Sequence, residues 1–208
     1  YQAALGLLSR INANLLWEVE DYADLTHYQT DETTDGEITF GVTGLPRRLS
    51  ISHGGATAND DAAMLFADVL TTPDSLGPLR VTFRDVSYTD NGNTVFLGLD
   101  DLRSAGTWPV TSGSGVLARF DNSTNNLRAV DAGNSEGTKS YTFDWSSNHD
   151  IAFELTDSRA RILIDGVVEF DRSYSASTTF VPWMYLSDNG DGNSETVEME
   201  EVVVEVLE

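Results

Sequence analysis

The strongest constraint on this chain is a two-residue rhythm of apolar side chains, carried in short runs that each end in turn residues. Ile38, Phe40 and Val42 alternate with polar neighbours, as do Leu49 and Ile51, then Leu79, Val81 and Phe83, then Val95, Leu97 and Leu99. Successive side chains of a strand point to opposite faces, so each run offers one face to a core and the other to water. Thr34-Asp35-Gly36, His53-Gly54-Gly55, Asp90-Asn91-Gly92-Asn93, Gly113-Ser114-Gly115 and Asp188-Asn189-Gly190-Asp191-Gly192 supply the positive φ that tight connections need. No segment beyond Leu15 has helical spacing long enough for a βαβ crossover. The expected fold is therefore all-β, an antiparallel β-sandwich or jelly roll of about a dozen strands.

At 208 residues and 40 % hydrophobic, the chain can bury a sizeable core, and no linker divides it. We read residues 15–208 as a single β-sandwich domain. Residues 1–14 differ: Ala4, Leu7, Leu8 and Ile11 fall on one face at helical spacing. A short N-terminal helix is expected there, and Leu5, Leu7, Leu8 and Ile11 are its candidate docking residues. Packing on its own domain is the plainer role for that helix. Tyr1 in place of an initiator Met reads as a processed product or a fragment of something longer.

The charge describes an environment. Thirty-four acidic residues face 12 basic ones, for a formal net charge of −22. In molar salt the Debye length falls to about 3 Å and such self-repulsion is screened, so the chain reads as halophilic. Lys139 is the one lysine and reads as a remnant of surface selection. Nucleic acid is an unsuitable partner, because each phosphate contact needs a cation. No apolar run approaches the length of about 20 residues that a membrane helix needs. With no cysteine, disulfides, thiolate metal sites and thiol catalysis are all excluded.

The C-terminal third carries a more specific signal. In the segment 149–155, Ile151, Phe153 and Leu155 face one way; a turn at Asp157-Ser158 leads to Ala160-Arg-Ile-Leu-Ile164, then Asp165-Gly166, then Val167-Val-Glu-Phe170. This strand pair resembles the concanavalin A-like and laminin G-like lectin sandwiches. The segment Phe180 to Leu186, a Gly/Asn/Asp loop and a strand from Val197 to Leu207 resemble that family's closing hairpin, whose last strand returns to pair near the first. The specific part of the likeness covers residues 149–170.

That resemblance implies three kinds of site. Hydrolases of the family place two carboxylates on one strand as Glu-x-Asp-x-x-Glu, a spacing absent here. Glu18 with Glu20, and Glu198 with Glu200, have i, i+2 spacing, which reads as a solvated acidic face in a chain with 34 carboxylates. His27, His53 and His149 lack a nucleophile-elbow partner motif and read as polar strand ends. For sugar binding, Trp108 in its Gly/Ser/Thr loop and Trp183 with Tyr185 on one strand face are the candidates, since pyranose rings stack on aromatic faces. Trp17, Trp145 and Trp183 suit core packing as well. One of two sets, Trp183 with Tyr185 or Phe180 with Met184 and Leu186, must leave the core. For a metal, Asp188, Asp191 and Asn193 offer oxygens on a tight loop, as Ca2+ or another divalent cation prefers, with Asp100-Asp101 and Asp60-Asp61 as other donors. A plain turn is the simpler reading of each of these. Asn122-Ser123-Thr124 is a glycosylation acceptor sequence.

The expected function is a non-catalytic structural or adhesive module outside a halophilic assembly. Its most concrete form is a turret, decoration or tail-attachment protein on the virion surface of a haloarchaeal virus. Its partners would be other virion or surface-assembly proteins through the N-terminal segment, host-surface glycans, and further copies in a homo-oligomer. The alternatives are a secreted or cell-surface carbohydrate-binding module and a glucanase-like glycoside hydrolase.

Overall fold

The computed structural model of the chain describes residues 15–18, 28–32, 38–43, 48–53, 62–67, 78–89, 94–100, 114–120, 125–131, 134–156, 158–174, 181–187 and 195–207. The described strands are β1 (Leu15–Glu18), β2 (Tyr28–Glu32), β3 (Ile38–Thr43), β4 (Arg48–His53), β5 (Ala62–Ala67), β6 (Leu79–Thr89), β7 (Thr94–Asp100) and β8 (Gly115–Phe120). They continue with β9 (Asn126–Asp131), β10 (Asn134–Ser140), β11 (His149–Leu155), β12 (Arg159–Ile164), β13 (Val167–Ser173), β14 (Val181–Ser187), β15 (Glu195–Met199) and β16 (Glu201–Val206). They form two antiparallel sheets, and there is no helix among the described residues. One sheet runs β10-β9-β8-β7-β14-β5-β2; the nine-stranded one runs β13-β12-β11-β6-β15-β4-β3, with β16 on β6 and β1 on β16. The all-β sandwich read from the sequence is the observed architecture. The N-terminal helix and its Leu5, Leu7, Leu8 and Ile11 lie outside the described residues.

Strand alternation builds the core. Leu49, Ile51, Val81, Phe83, Ile151, Phe153, Leu155 and Ile162 of the nine-stranded sheet meet Val95, Leu97, Val116, Ala118, Phe120, Leu127, Met184 and Leu186 of the other. Phe153 meets Phe83 edge to face at 5.8 Å, the arrangement that brings a ring's positive edge to its neighbour's negative face. At one end of the core Trp145 stacks on Phe143 at 4.9 Å and packs against Phe120 at 4.7 Å. Trp145 thus serves packing.

Two local devices set the register. In β6, Asp85 takes φ 53°, a left-handed conformation that Asp tolerates better than most residues. Arg84 and Asp85 together oppose one residue of β11, because Ile151 pairs with Phe83 while His149 pairs with Val86. The extra residue restarts the alternation, so Leu79, Val81 and Phe83 point inward before it and Val86 and Tyr88 after it. The strand expected to run unbroken from Val197 to Leu207 is divided at Glu200 for the same reason. Its halves β15 and β16 follow β6 on either side of the bulge, and the Glu200 amide donates to the Arg84 carbonyl at 2.9 Å. The closing strand does return to the first, since β16 pairs with β1.

The second device is the Asp165-Gly166 turn, with φ of 51° and 79°, between β12 and β13. Both values are positive, as a two-residue type I′ hairpin demands. The Asp165 carboxylate also accepts the Asp150 amide at 3.0 Å and reaches the His149 Nδ1 at 2.7 Å. Lys139 has a defined role too, which corrects its reading as a remnant. From edge strand β10 its ammonium reaches Glu169 Oε2 on edge strand β13 at 2.7 Å, so it ties the two sheets together.

Candidate functional site

The seven-stranded sheet has an outer face, turned away from the other sheet, whose side chains alternation excludes from the core. Cross-strand pairing arranges them in two rows. One row runs Trp183, Gly98, Leu117, Arg128, Thr138; the other runs Tyr185, Phe96, Arg119, Asn126, Ser140. From β14 to β10 the rows run from aromatic to polar; across β5 and β2 they continue through Phe66 to Gln29 and through Met64 to Asp31.

At the aromatic end, Phe96 stacks on Trp183 with centroids 6.2 Å apart, and Tyr185 lies 5.8 Å from Phe96 and 5.9 Å from Trp183. Met184 and Leu186 enter the core, so Trp183 and Tyr185 are the set that leaves it. Their expected role as an open stacking platform needs correction, however. Trp183, Tyr185, Phe96 and Leu117 are all 0 % exposed, and a ring without free surface cannot receive a sugar face in this conformation.

The accessible part of the face lies further along the rows. Arg119 and Arg128 are half-buried, Thr138 and Ser140 are exposed, and Asn126 is buried between them. The Arg119 guanidinium sits 5.6 Å over the Phe96 ring. Among the described residues, Arg128 Nε, Asn126 Oδ1 and Trp183 Nε1 are buried without a hydrogen-bond partner, and all three belong to this face. A buried polar group left unpaired costs about 1–3 kcal/mol, so such groups mark places where a partner is to be gained. Burial first, and then the neighbouring Arg119 charge, lower the Arg128 guanidinium from its ordinary range. Both effects disfavour the charged form.

Arg119, Arg128 and Asn126 were not among the residues that sequence reasoning selected. The available signal was alternation: in β8 and β9, Phe120 and Leu127 belong to the core, which assigns Arg119 and Arg128 to the opposite face. That the two arginines are neighbours depends on the β8 to β9 register.

The remaining sequence candidates are placed as follows. Both His149 nitrogens are engaged, Nδ1 with Asp165 and Nε2 with the Asp144 carbonyl at 2.9 Å, which leaves neither to take a proton from a nucleophile. The Ser146 hydroxyl and then its amide hold the Asp144 carboxyl below the usual carboxylate range and brace the turn that presents that carbonyl. Glu198 lies 3.3 Å from Arg48, which also bonds Asp85, so this carboxylate belongs to an ion-pair network. Glu200 stands at the break between β15 and β16, outside both strands. Glu18 ends β1. Trp108, Glu20, His27, Asp188, Asp191 and Asn193 lie outside the described residues. Among the described residues no group of three or more His, Asp or Glu side chains could hold a metal ion. No helix among them is long and apolar enough to cross a membrane.

No protein-family model matches the chain, and no curated protein matches it. Solved structures do. The carbohydrate recognition domain of Emp47p is similar at TM-score 0.63 and 12 % identity, over 93 % of this chain and 97 % of that one. A protein of unknown function with a galectin-like fold from Bacillus subtilis gives 0.64 and 12 %, over 92 % and 96 %. The endo-β-1,3-glucanase from Pyrococcus furiosus gives 0.63 and 12 %, over 92 % and 94 %. At such identity the likeness establishes a shared galectin-like, concanavalin A-like sandwich.

Proposed function

We propose that this chain is a non-catalytic glycan-binding module of an extracellular surface in concentrated salt, with its saccharide site on the outer face of the seven-stranded sheet. The observation that carries the reading is the concentration, at the accessible end of that one face, of arginines and hydroxyls beside buried polar atoms without partners. Saccharides present hydroxyls that donate and accept, and a site for them needs a few convergent polar groups beside apolar surface. The names of its structural neighbours, a carbohydrate recognition domain and a glucanase, support a sugar ligand. Hydrolysis by two carboxylates is less well supported, because the Glu-x-Asp-x-x-Glu spacing is absent from the chain.

A glycan array in molar salt tests the reading. The wild-type chain is expected to retain a subset of glycans, and Thr138→Trp with Ser140→Trp, filling the exposed end of both rows, is expected to weaken retention at least about tenfold, or 1.4 kcal/mol. Retention unchanged in that variant moves the site elsewhere. Failure to bind any glycan removes the proposal, and release of reducing sugar from β-glucans overturns its non-catalytic part.

The finer placement, on a halophilic virion or cell envelope through Leu5, Leu7, Leu8 and Ile11, is supported by the net charge and the apolar opening of the sequence. Mass measurement of native particles checks it. A symmetric oligomer or capsid-bound copies are expected, and a free glycan-binding monomer would exclude it.

A further inference from the structure

His27, His53 and His149 are the side chains of this chain whose charge ordinarily changes between about pH 5 and 8, and His149 is buried at the start of β11. Its Nδ1 lies 2.7 Å from Asp165 Oδ2, and its Nε2 lies 2.9 Å from the Asp144 carbonyl oxygen. Both oxygens accept and neither donates: one is a carbonyl, and the other belongs to a carboxylate that also takes the Asp150 amide at 3.0 Å. A neutral imidazole carries one N–H and one bare lone pair, so it can satisfy only one of these contacts. The other would set lone pair against lone pair in a buried place. An imidazolium has two N–H groups and satisfies both.

Burial alone favours a neutral ring, but the surroundings favour the cation. The charged groups on the described elements around it are Asp165 in the hairpin turn, Asp144 in the connection before β11, Asp150 on β11 and Asp85 at the β6 bulge, with Arg48 already paired with Asp85 and Glu198. Tyr141 in that connection stays neutral, because burial and then the Glu169 and Asp165 charges raise its phenol, and Glu169 is itself paired with Lys139. Trp145 and Phe143 meet the imidazole in T-shaped contacts at 5.3 and 5.9 Å, inside the distance of about 6 Å at which an aromatic ring attracts a cation. We infer that His149 is held as an imidazolium clasp between the Asp165-Gly166 hairpin turn and the turn at Asp144, and that the clasp opens when the ring loses a proton. The folded chain then holds a proton that the unfolded chain gives up, so this stability is present on the acid side of the histidine range and falls as pH rises through it. The strands stay paired, because the Asp165 amide still donates to the Asp150 carbonyl at 2.9 Å. What loosens is the end of the core closed by Trp145 and Phe143, stacked at 4.9 Å.

The double variant His27→Gln with His53→Gln leaves one histidine, so its ring-nitrogen NMR signals in molar KCl report His149 alone. At about pH 7.5, where an ordinary histidine is roughly nine-tenths neutral, His149 is expected to show two protonated nitrogens. The melting temperature of that variant is expected to fall by roughly 3–6 °C between about pH 6 and pH 9. Adding His149→Gln, which supplies one donor group where the imidazolium has two, should remove this dependence. If the double variant does not fold, wild type and His149→Gln are compared in the same two ways, with the His149 signals identified by their loss. A ring with one protonated nitrogen at about pH 7.5, or a pH dependence that survives His149→Gln, would overturn the inference.

Discussion

Transfer from molar salt to a buffer of about 10 mM ionic strength is expected to unfold this protein. At that ionic strength the Debye length is about 30 Å, roughly the width of a small domain, so each charge is felt across the molecule. The sum is strongly repulsive at a formal net charge of −22. Local pairing offsets little of it. Arg48, Arg80, Arg84, Arg159 and Arg161 already neutralise carboxylates on the nine-stranded sheet, and the acids still outnumber the bases 34 to 12. Unfolding moves like charges apart, so low salt favours the unfolded chain. At about 1 M the repulsion is cut off within about 3 Å, and only the contact pairs still interact. Near-ultraviolet dichroism and tryptophan fluorescence, followed as KCl is diluted, check this: a cooperative loss of signal below about 1 M is expected. A native spectrum in dilute buffer would end the high-salt reading without touching the fold or the proposed site.

Substitution of Gly98 is expected to be the most damaging single change tested on the seven-stranded sheet. A Cβ at this position would lie 2.2 Å from the Val116 carbonyl oxygen and 2.8 Å from the Leu117 Cα. Both are backbone atoms of β8, so no side-chain rotation makes room and the two strands must separate. Overpacking of ordinary cores costs about 1–3 kcal/mol, and a clash with backbone belongs at or above the top of that range. For Gly98→Ala a melting temperature lower by roughly 6–12 °C follows, for a chain of this length in molar salt. Gly137→Ala is the informative control. Its Cβ would meet the Arg172 side chain at 2.9 Å, and that exposed, flexible group can swing away at little cost. Equal melting temperatures for both variants would show that β7 and β8 do not approach as described. Gly98 also stands in one row with Trp183 and Arg128, so the close approach that forbids a side chain there brings the aromatic and cationic parts of the face together.

Much of the architecture was legible in the sequence, for a local reason. Period-two alternation depends on neighbours along the chain, and so Ile38 to Val42, Leu49 to Ile51, Leu79 to Phe83 and Val95 to Leu99 could each be read as strands. The Asp165-Gly166 hairpin was legible because only a few residue types accept two successive positive φ values. Less visible were β5, an unbroken apolar run, and β10, a polar run with no apolar face, since neither alternates. The bulge at Asp85 was hidden as well. It shows only when β6 is aligned with two partners at once.

The site was legible in part. Trp183 and Tyr185 do share the face that leaves the core, as spacing required, yet their burial could not be inferred from spacing. By itself, the sequence determined where strands form, which of their faces are apolar, and how large a negative charge the folded chain carries. Only the tertiary structure decided that β14 lies between β7 and β5, that Lys139 reaches Glu169 across the sheet edges, and that Arg119 and Arg128 stand side by side. The physical reason is range: φ preferences and side-chain alternation act within a few residues, whereas pairing register and burial depend on segments far apart in the chain, and the proposed site is built from that second kind of contact.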